Sequence, residues 1–187
     1  TRIVRRGTWD VGDSTPCELY SNSTVALSAD TGAMDWYYQH LPCDDWDQDF
    51  VQERTLIDTV VNPDPDAVMW INPNLAGRAE ERKVAVTLGE PGGLFVLDRE
   101  TGEFLWATPT VTQNVISHID GATGAVSENS EVVFSGLGQE VLACPTLIGG
   151  KDWEAGAYSP LTNTMYYPLR NTCARLLATR EGGLEIY

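Results

Sequence analysis

Two segments of the chain repeat one phrase, and this repeat constrains the fold more than any other feature. Residues 26–36 read A-L-S-A-D-T-G-A-M-D-W, and residues 96–106 read V-L-D-R-E-T-G-E-F-L-W. In each copy a short apolar strand leads into a polar turn whose glycine can adopt positive φ, and a second strand ends in Trp36 or Trp106. A weaker copy at residues 119–124 lacks the tryptophan. Such repeated strand–turn–strand units are typical of propeller blades, so the sequence predicts an all-β fold with structural tryptophans.

Three further runs rich in β-branched and aromatic residues also predict strands. They are residues 83–88, 93–97 and 164–167. Long loops rich in Pro, Asn and Asp separate these runs, notably at residues 62–82. The charged residues 78–83 predict a solvated loop or a single helical turn, and no segment predicts a long helix.

The most informative segment for chemistry is Asp-Asp-Trp-Asp-Gln-Asp at residues 44–49, which places four carboxylates in six positions. Asp47 and Asp49 stand two positions apart, so in an extended chain their side chains would point to the same face. Two such carboxylates repel each other in a pocket, and a hard cation between them removes the conflict. The pair therefore predicts a base beside a metal site. For Asp44, Asp45 and Asp49 a solvated acidic loop is the alternative.

Charge and cysteine usage exclude several functions. The 187 residues include 12 basic and 27 acidic side chains, a net charge of −15, which disfavours nucleic acid as a partner. No apolar run is long enough to span a bilayer, and no signal peptide is visible. His40 and His118 are isolated and there is no C-x-x-C pair, so a zinc site is not expected. The even number of cysteines permits disulfides, although Cys17 and Cys43 could equally be free.

The doubled phrase, the acidic segment and a third stretch together resemble one family. The third stretch is Cys-Pro-Thr-Leu-Ile-Gly-Gly-Lys-Asp-Trp at residues 144–153, followed by Ala-Tyr-Ser-Pro at 157–160, Tyr-Pro at 167–168 and Asn-Thr-Cys at 171–173. The chain is similar to the methanol and ethanol branch of the quinoprotein dehydrogenases, which use pyrroloquinoline quinone (PQQ). This resemblance implies an eight-bladed β-propeller, of which residues 1–187 would form two to three blades, with both ends truncated.

The resemblance also implies roles for individual residues. Asp47 matches the catalytic base, which accepts the hydroxyl proton of an alcohol while hydride passes to the quinone. Asp47 and Asp49 would lie at the metal ion that polarises the quinone, and Asp49 matches the extra acid of members that use a lanthanide instead of Ca²⁺. Asp152 and Trp153 match a pair beside PQQ, a polar contact and a ring at the edge of the site. Core packing is the alternative for Trp153.

By the same resemblance, Cys144 and Cys173 match a disulfide pair of the family, with two buried free thiols as the alternative. Closing a loop of about 29 residues would stabilise the fold by about 3 to 4 kcal/mol in the chain-entropy model. The family also implies a periplasmic location, where disulfides persist, and an electron acceptor of the cytochrome c type.

Three positions depart from the family pattern. Glu90 lies where the family places Lys or Arg near the quinone oxygens, and a carboxylate there would repel the reduced quinone. Arg5 falls on a metal-binding Asn of the family, and Asp152 replaces an amide. Two alternatives therefore stay open: a propeller that has lost its chemistry and serves as a binding or assembly scaffold, and an aldose dehydrogenase of the same superfamily.

Overall fold

The computed structural model of the chain describes residues 19–75 and 77–179, which form strands and connecting loops without a helix. The strands are β1 Ser23–Leu27, β2 Met34–Gln39, β3 Thr55–Val61, β4 Trp70–Ile71, β5 Glu80–Leu88, β6 Gly93–Asp98, β7 Phe104–Pro109, β8 Ile116–Ile119, β9 Val126–Glu128, β10 Glu140–Ala143, β11 Ala157–Ser159, β12 Thr164–Tyr166 and β13 Ala174–Leu177. The predicted all-β fold is confirmed. Within the described ranges, no helix could cross a membrane.

One antiparallel sheet of five strands forms the centre of the structure, in the order β3-β5-β6-β7-β4. The other strands pair as two-stranded sheets, β1 with β2, β8 with β9, β10 with β13 and β11 with β12. In β5 the last five residues, Val84 to Leu88, are all buried, as expected for a strand covered on both faces.

The interpretation of residues 78–83 as a loop or helical turn is wrong for the last four of them, which begin β5 and pair with β3. Their burial alternates, so Glu81 and Lys83 are exposed, whereas Glu80 and Arg82 lie on the less exposed face. There the guanidinium of Arg82 lies 2.8 Å from Glu80, 3.0 Å from Asp98 and 3.1 Å from Glu103. Pairing with β3 and this ion network stabilise a strand that the charged sequence does not favour by itself.

Two apolar clusters cover opposite faces of the five-stranded sheet. Phe95 and Leu97 belong to the first cluster, whereas Val96, between them in β6, belongs to the second. The first cluster also contains Trp46, in the middle of the acidic segment, and Phe50, directly after it. The acidic segment is therefore anchored to this core.

Both tryptophans of the repeated phrase are structural, as predicted. The indole Nε1–H of Trp36 donates to the carbonyl of Arg99 at 3.1 Å, and the ring lies against Gly102 of the second phrase. Trp106 lies in β7 and packs against the second cluster.

Candidate functional site

Three loops meet at one end of the five-stranded sheet. They are the acidic loop (residues 44–50), the β5–β6 turn (residues 89–92) and the disulfide loop (residues 144–153). Glu90 of the turn contacts the acidic loop twice, because its N–H donates to the carbonyl of Asp49 at 3.1 Å and its Oε2 accepts the Asp49 N–H at 2.9 Å.

The disulfide loop closes on the same glutamate. The N–H of Gly150 donates to the carbonyl of Glu90 at 2.7 Å. Gly149 has a φ of +75°, and a Cβ at this position would overlap the Cα and Cβ of Glu90. The absence of side chains at these two glycines therefore lets the disulfide loop approach the turn closely.

Two of the four aspartates organise the acidic loop. The carboxylate of Asp44 accepts the N–H groups of Trp46 at 2.9 Å and Gln48 at 2.8 Å. Asp45 is only 3% exposed, and its Oδ2 accepts the N–H of Phe134 at 3.1 Å. Burial raises the pKa of Asp44 to about 6 against the effect of its two hydrogen bonds. A solvated acidic loop is therefore the wrong description of these two residues.

The remaining two aspartates do not lie in extended chain. Asp47 has a φ of +63°, in the left-handed region, because the two bonds to Asp44 turn the backbone on either side of it. Asp47 is half-buried, whereas Asp49 is exposed. The prediction that an extended chain points both side chains to one face is therefore wrong, since the chain turns between them. The charges of both aspartates nevertheless act on the same residue, Glu90, whose pKa they raise.

Glu90 is buried among other acids. Burial raises its pKa to about 8, and the charges of Asp49, Asp152 and Asp47 add to the rise, although the hydrogen bond from the Asp49 N–H acts against it. A glutamate with this pKa is mostly protonated at neutral pH. The predicted repulsion of a reduced quinone assumes a carboxylate, and a neutral carboxyl group would instead be able to donate a hydrogen bond.

The donor chemistry of this acid cluster suits a hard cation, since carboxylate oxygens are the preferred ligands of Ca²⁺. The acids raise the pKa of Glu90, which a cation beside them would counteract. However, residues 19–75 and 77–179 contain no group of three or more His, Cys, Asp or Glu side chains that could hold an ion. Asp47 and Asp49 would therefore need further ligands to hold an ion. Arg5, at the position of a further ligand, lies outside the described residues.

Asp152 is held by its surroundings. Its Oδ1 accepts the N–H of Trp153 at 2.8 Å, and its Oδ2 lies 3.7 Å from Nη1 of Arg170. The buried ammonium of Lys151 donates to the Asp152 carbonyl at 3.1 Å and to Glu53 at 3.2 Å. Trp153 is 81% exposed, so core packing does not explain it. Sequence reasoning missed Lys151, because a single lysine beside glycines resembles a surface residue.

The disulfide between Cys144 and Cys173 is confirmed, with an S–S distance of 2.02 Å. Cys43 is also disulfide-bonded, so the alternative of a free thiol is wrong there. Cys17 lies outside the described residues.

His118 is exposed in β8, and His40 is fully buried. The ring of His40 stacks on the ring of Phe50, with 4.4 Å between the ring centroids. His118 is thus a surface residue, and His40 is a residue of the packed core.

Comparison with known proteins identifies similar chains. Residues 8–123 match the model of the family described as "PQQ: Glucose/ethanol/alcohol dehydrogenase, beta-propeller domain". The chain is 29% identical over 169 residues to the dehydrogenase subunit of a quinone alcohol dehydrogenase from Gluconobacter oxydans, covering 90% of this chain and 20% of that protein. It is 31% identical to a 1-butanol dehydrogenase (cytochrome c) from Thauera butanivorans, covering 82% of this chain and 19% of that protein.

Among solved structures, a europium-containing methanol dehydrogenase superposes with a TM-score of 0.70 at 30% identity, covering 88% of this chain and 27% of that one. The chain thus spans about a fifth to a quarter of the length of these relatives.

Proposed function

Because the chain belongs to the family of PQQ-dependent glucose, ethanol and alcohol dehydrogenase propellers, we propose that it is part of an enzyme that oxidises a primary alcohol to an aldehyde. The cofactors of this enzyme would be PQQ and a metal ion. The all-β fold is that of the family, whose propeller has eight blades, and the chain contributes two to three of them.

The observation that carries the proposal is the meeting of the acidic loop with the disulfide loop through Glu90. This contact brings Asp47, Asp49 and Asp152 into one electrostatic environment, in which all three act on the pKa of the same glutamate. Residues far apart in sequence thus converge at one end of a sheet. A scaffold has no need for such a concentration of acids.

In the proposed mechanism Asp47 is the general base. Its half-buried carboxylate, set on a left-handed turn, accepts the proton of the alcohol hydroxyl. PQQ, when bound, supplies the two-electron acceptor for the hydride. Asp152 and the exposed ring of Trp153 would line the cofactor, and Trp153 would exclude water from it. Burial raises the pKa of Glu90 to about 8, which weakens its charge repulsion against the reduced cofactor, although a bound cation would oppose this rise.

The metal ion would be held in part by Asp47 and Asp49, with further ligands outside the described residues. Asp49 adds a second acidic side chain to the acidic loop, and the added charge favours a trivalent lanthanide over Ca²⁺. One structural relative is named as a europium-containing methanol dehydrogenase, in agreement with this assignment.

The disulfides and one relative support the remaining parts of the proposal. The bonded state of Cys144, Cys173 and Cys43 suits an oxidising compartment such as the periplasm. The 1-butanol dehydrogenase is named for cytochrome c, and we assign the same type of electron acceptor to the parent protein of this chain.

A second candidate is a catalytically inactive propeller that serves as a binding or assembly scaffold. It is favoured by Glu90 in place of the family's cation, and by the lack of a complete metal-ligand group in the described ranges. This candidate predicts that the protein binds neither PQQ nor a metal ion.

The test is dye-linked oxidation of methanol, ethanol and glucose by the full-length protein, loaded with PQQ and either Ca²⁺ or La³⁺. Asp47→Asn should retain the circular dichroism spectrum yet lose turnover by about 10²-fold or more, since the general base is removed. Asp66→Asn is the matched control and should remain active, since Asp66 is an exposed aspartate between β3 and β4, outside the three loops of the site. An Asp47→Asn variant with full activity would refute the assigned base, and preferential oxidation of glucose would identify an aldose dehydrogenase.

A further inference from the structure

Gln48, between the two candidate site aspartates, is fully buried although its neighbours in the chain are acidic. Its Nε2 donates to the carbonyl of Pro145 at 2.7 Å and to the carbonyl of Thr146 at 3.3 Å. These acceptors lie 97 and 98 positions further along the chain, in the disulfide loop. A single side chain thus connects the loop of Asp47 with the loop of Asp152.

The disulfide loop, which accepts these two hydrogen bonds, is itself held by a covalent bond and by backbone hydrogen bonds. The disulfide from Cys144 to Cys173 precedes the two carbonyls, and the N–H of Thr146 donates to the carbonyl of Thr172 at 3.0 Å. The N–H of Gly149 then donates back to Thr146 at 2.7 Å. The amide of Gln48 is therefore anchored to a loop whose first residue is cross-linked to Cys173, just before β13.

The connection belongs to a closed circuit of hydrogen bonds. From Gln48 it passes to the disulfide loop, from Gly150 of that loop to the carbonyl of Glu90, and from Glu90 to the backbone of Asp49. Asp49 is the residue next to Gln48. Every segment that carries a candidate site acid is a member of this circuit.

We propose that Gln48 is a positioning residue, whose side-chain amide fixes the acidic loop against the disulfide loop and so sets the place of Asp47 relative to Asp152. The proposal rests on the function proposed above, because it concerns the geometry of that site. Asp47 lies outside any strand, between Trp46 and Gln48, which are both fully buried. Trp46 is held by its Nε1–H bond to the carbonyl of Val132 at 2.8 Å, and Gln48 holds the other side.

The first test is amide hydrogen exchange of the full-length protein carrying Gln48→Leu, which removes the donor and keeps the approximate volume. The amides of Asp49 and Gly150 should exchange about 10-fold faster or more, since both belong to the circuit. The matched control is Asn72→Leu. Asn72 is 1% exposed, and its amide donates to the carbonyl of Phe104 at 2.9 Å, close to the opposite end of the five-stranded sheet.

The second test separates kcat from KM for the same two variants with alcohol as substrate. Gln48→Leu should lower kcat by about 10- to 100-fold with KM nearly unchanged, because the base is displaced while the substrate pocket persists. Asn72→Leu should leave both parameters unchanged per folded molecule. If Gln48→Leu does not fold, Gln48→Glu replaces it, which has the same shape but donates only when protonated and should therefore lose kcat as the pH rises.

The outcomes distinguish the two proposals. A wild-type protein that oxidises no alcohol would refute the proposed function, while the exchange experiment would still decide whether Gln48 ties the loops together. Unchanged exchange at Asp49 and Gly150 in Gln48→Leu would overturn the tether. Faster exchange with a kcat no lower than that of Asn72→Leu would overturn the positioning of Asp47.

Discussion

The indole ring of Trp36 lies directly against Gly102, the turn glycine of the second phrase. A Cβ on Gly102 would lie 2.8 Å from two atoms of this ring, and the Nε1–H of Trp36 donates to the carbonyl of Arg99 in the same turn. Strand β2, which contains Trp36, is thus docked on the turn between β6 and β7, which contains Gly102. This contact joins the β1–β2 sheet to the five-stranded sheet.

Substitution of the two equivalent glycines should therefore have unequal effects. Gly32 and Gly102 both have positive φ, +70° and +76°, but a Cβ on Gly32 would meet no atom within 4 Å. Gly32→Ala should cost about 1 kcal/mol of stability from backbone strain alone. Gly102→Ala should cost about 2 to 4 kcal/mol, since the methyl group also displaces the indole. Thermal denaturation of the full-length variants measures both, and equal losses would show that the Trp36 contact contributes nothing.

Local sequence was sufficient to predict the strands and the tryptophans of the repeated phrase, because the turn glycine and the apolar runs on either side of it are adjacent in the chain. It failed at residues 80–83, where pairing with β3 and the ions around Arg82 outweigh the charged composition. It also failed for the backbone of Asp47, whose left-handed turn depends on two hydrogen bonds to a side chain three residues earlier in the loop. Gln48 and Lys151 carried no sequence signal at all, since their partners are about 100 positions away.

The close approach of Gly149 to Glu90 predicts a second pair of unequal substitutions. Gly149→Ala should destabilise the protein by about 3 kcal/mol or more, because its methyl group would overlap Cα, Cβ and Cγ of Glu90, and the backbone Cα cannot move aside. Gly138 has a φ of +80° and open space around it, so Gly138→Ala is the matched control and should cost only the strain of about 1 kcal/mol. Thermal denaturation is again the measurement. A Gly149→Ala variant as stable as the control would contradict the packing of the disulfide loop on Glu90.

His40 should make stability fall as the pH falls. Burial, and secondarily the charge of Arg54, lowers its pKa well below the ordinary 6.5, so the folded state keeps the ring neutral while the unfolded state binds a proton. The unfolded state thus binds more protons below pH 6.5, and about 1.4 kcal/mol is lost per pH unit there until the folded pKa is reached.

The measurement is the difference in free energy of unfolding between the wild type and His40→Gln at pH 7.5 and 5.5. Gln can still contact Thr24, the hydrogen-bond partner of His40 at 2.7 Å, but does not titrate. Asp44 and Glu90, whose raised pKa values act in the opposite direction, are present in both proteins and cancel in this comparison. The wild type should lose stability relative to His40→Gln at pH 5.5, and a difference independent of pH would contradict a buried neutral His40.

Removal of Asp49 should separate the two candidate metals. Asp49 is exposed, its backbone rather than its side chain is bonded to Glu90, and Asp49→Ala should therefore fold normally. The variant lacks one carboxylate, and a trivalent ion depends on ligand charge more than Ca²⁺ does. Turnover with La³⁺ should fall by about 10-fold or more, while turnover with Ca²⁺ changes little. Asp66→Ala serves as the control for a general loss of acidic charge, and an equal loss of activity with both metals in Asp49→Ala would argue against a lanthanide ligand at this position.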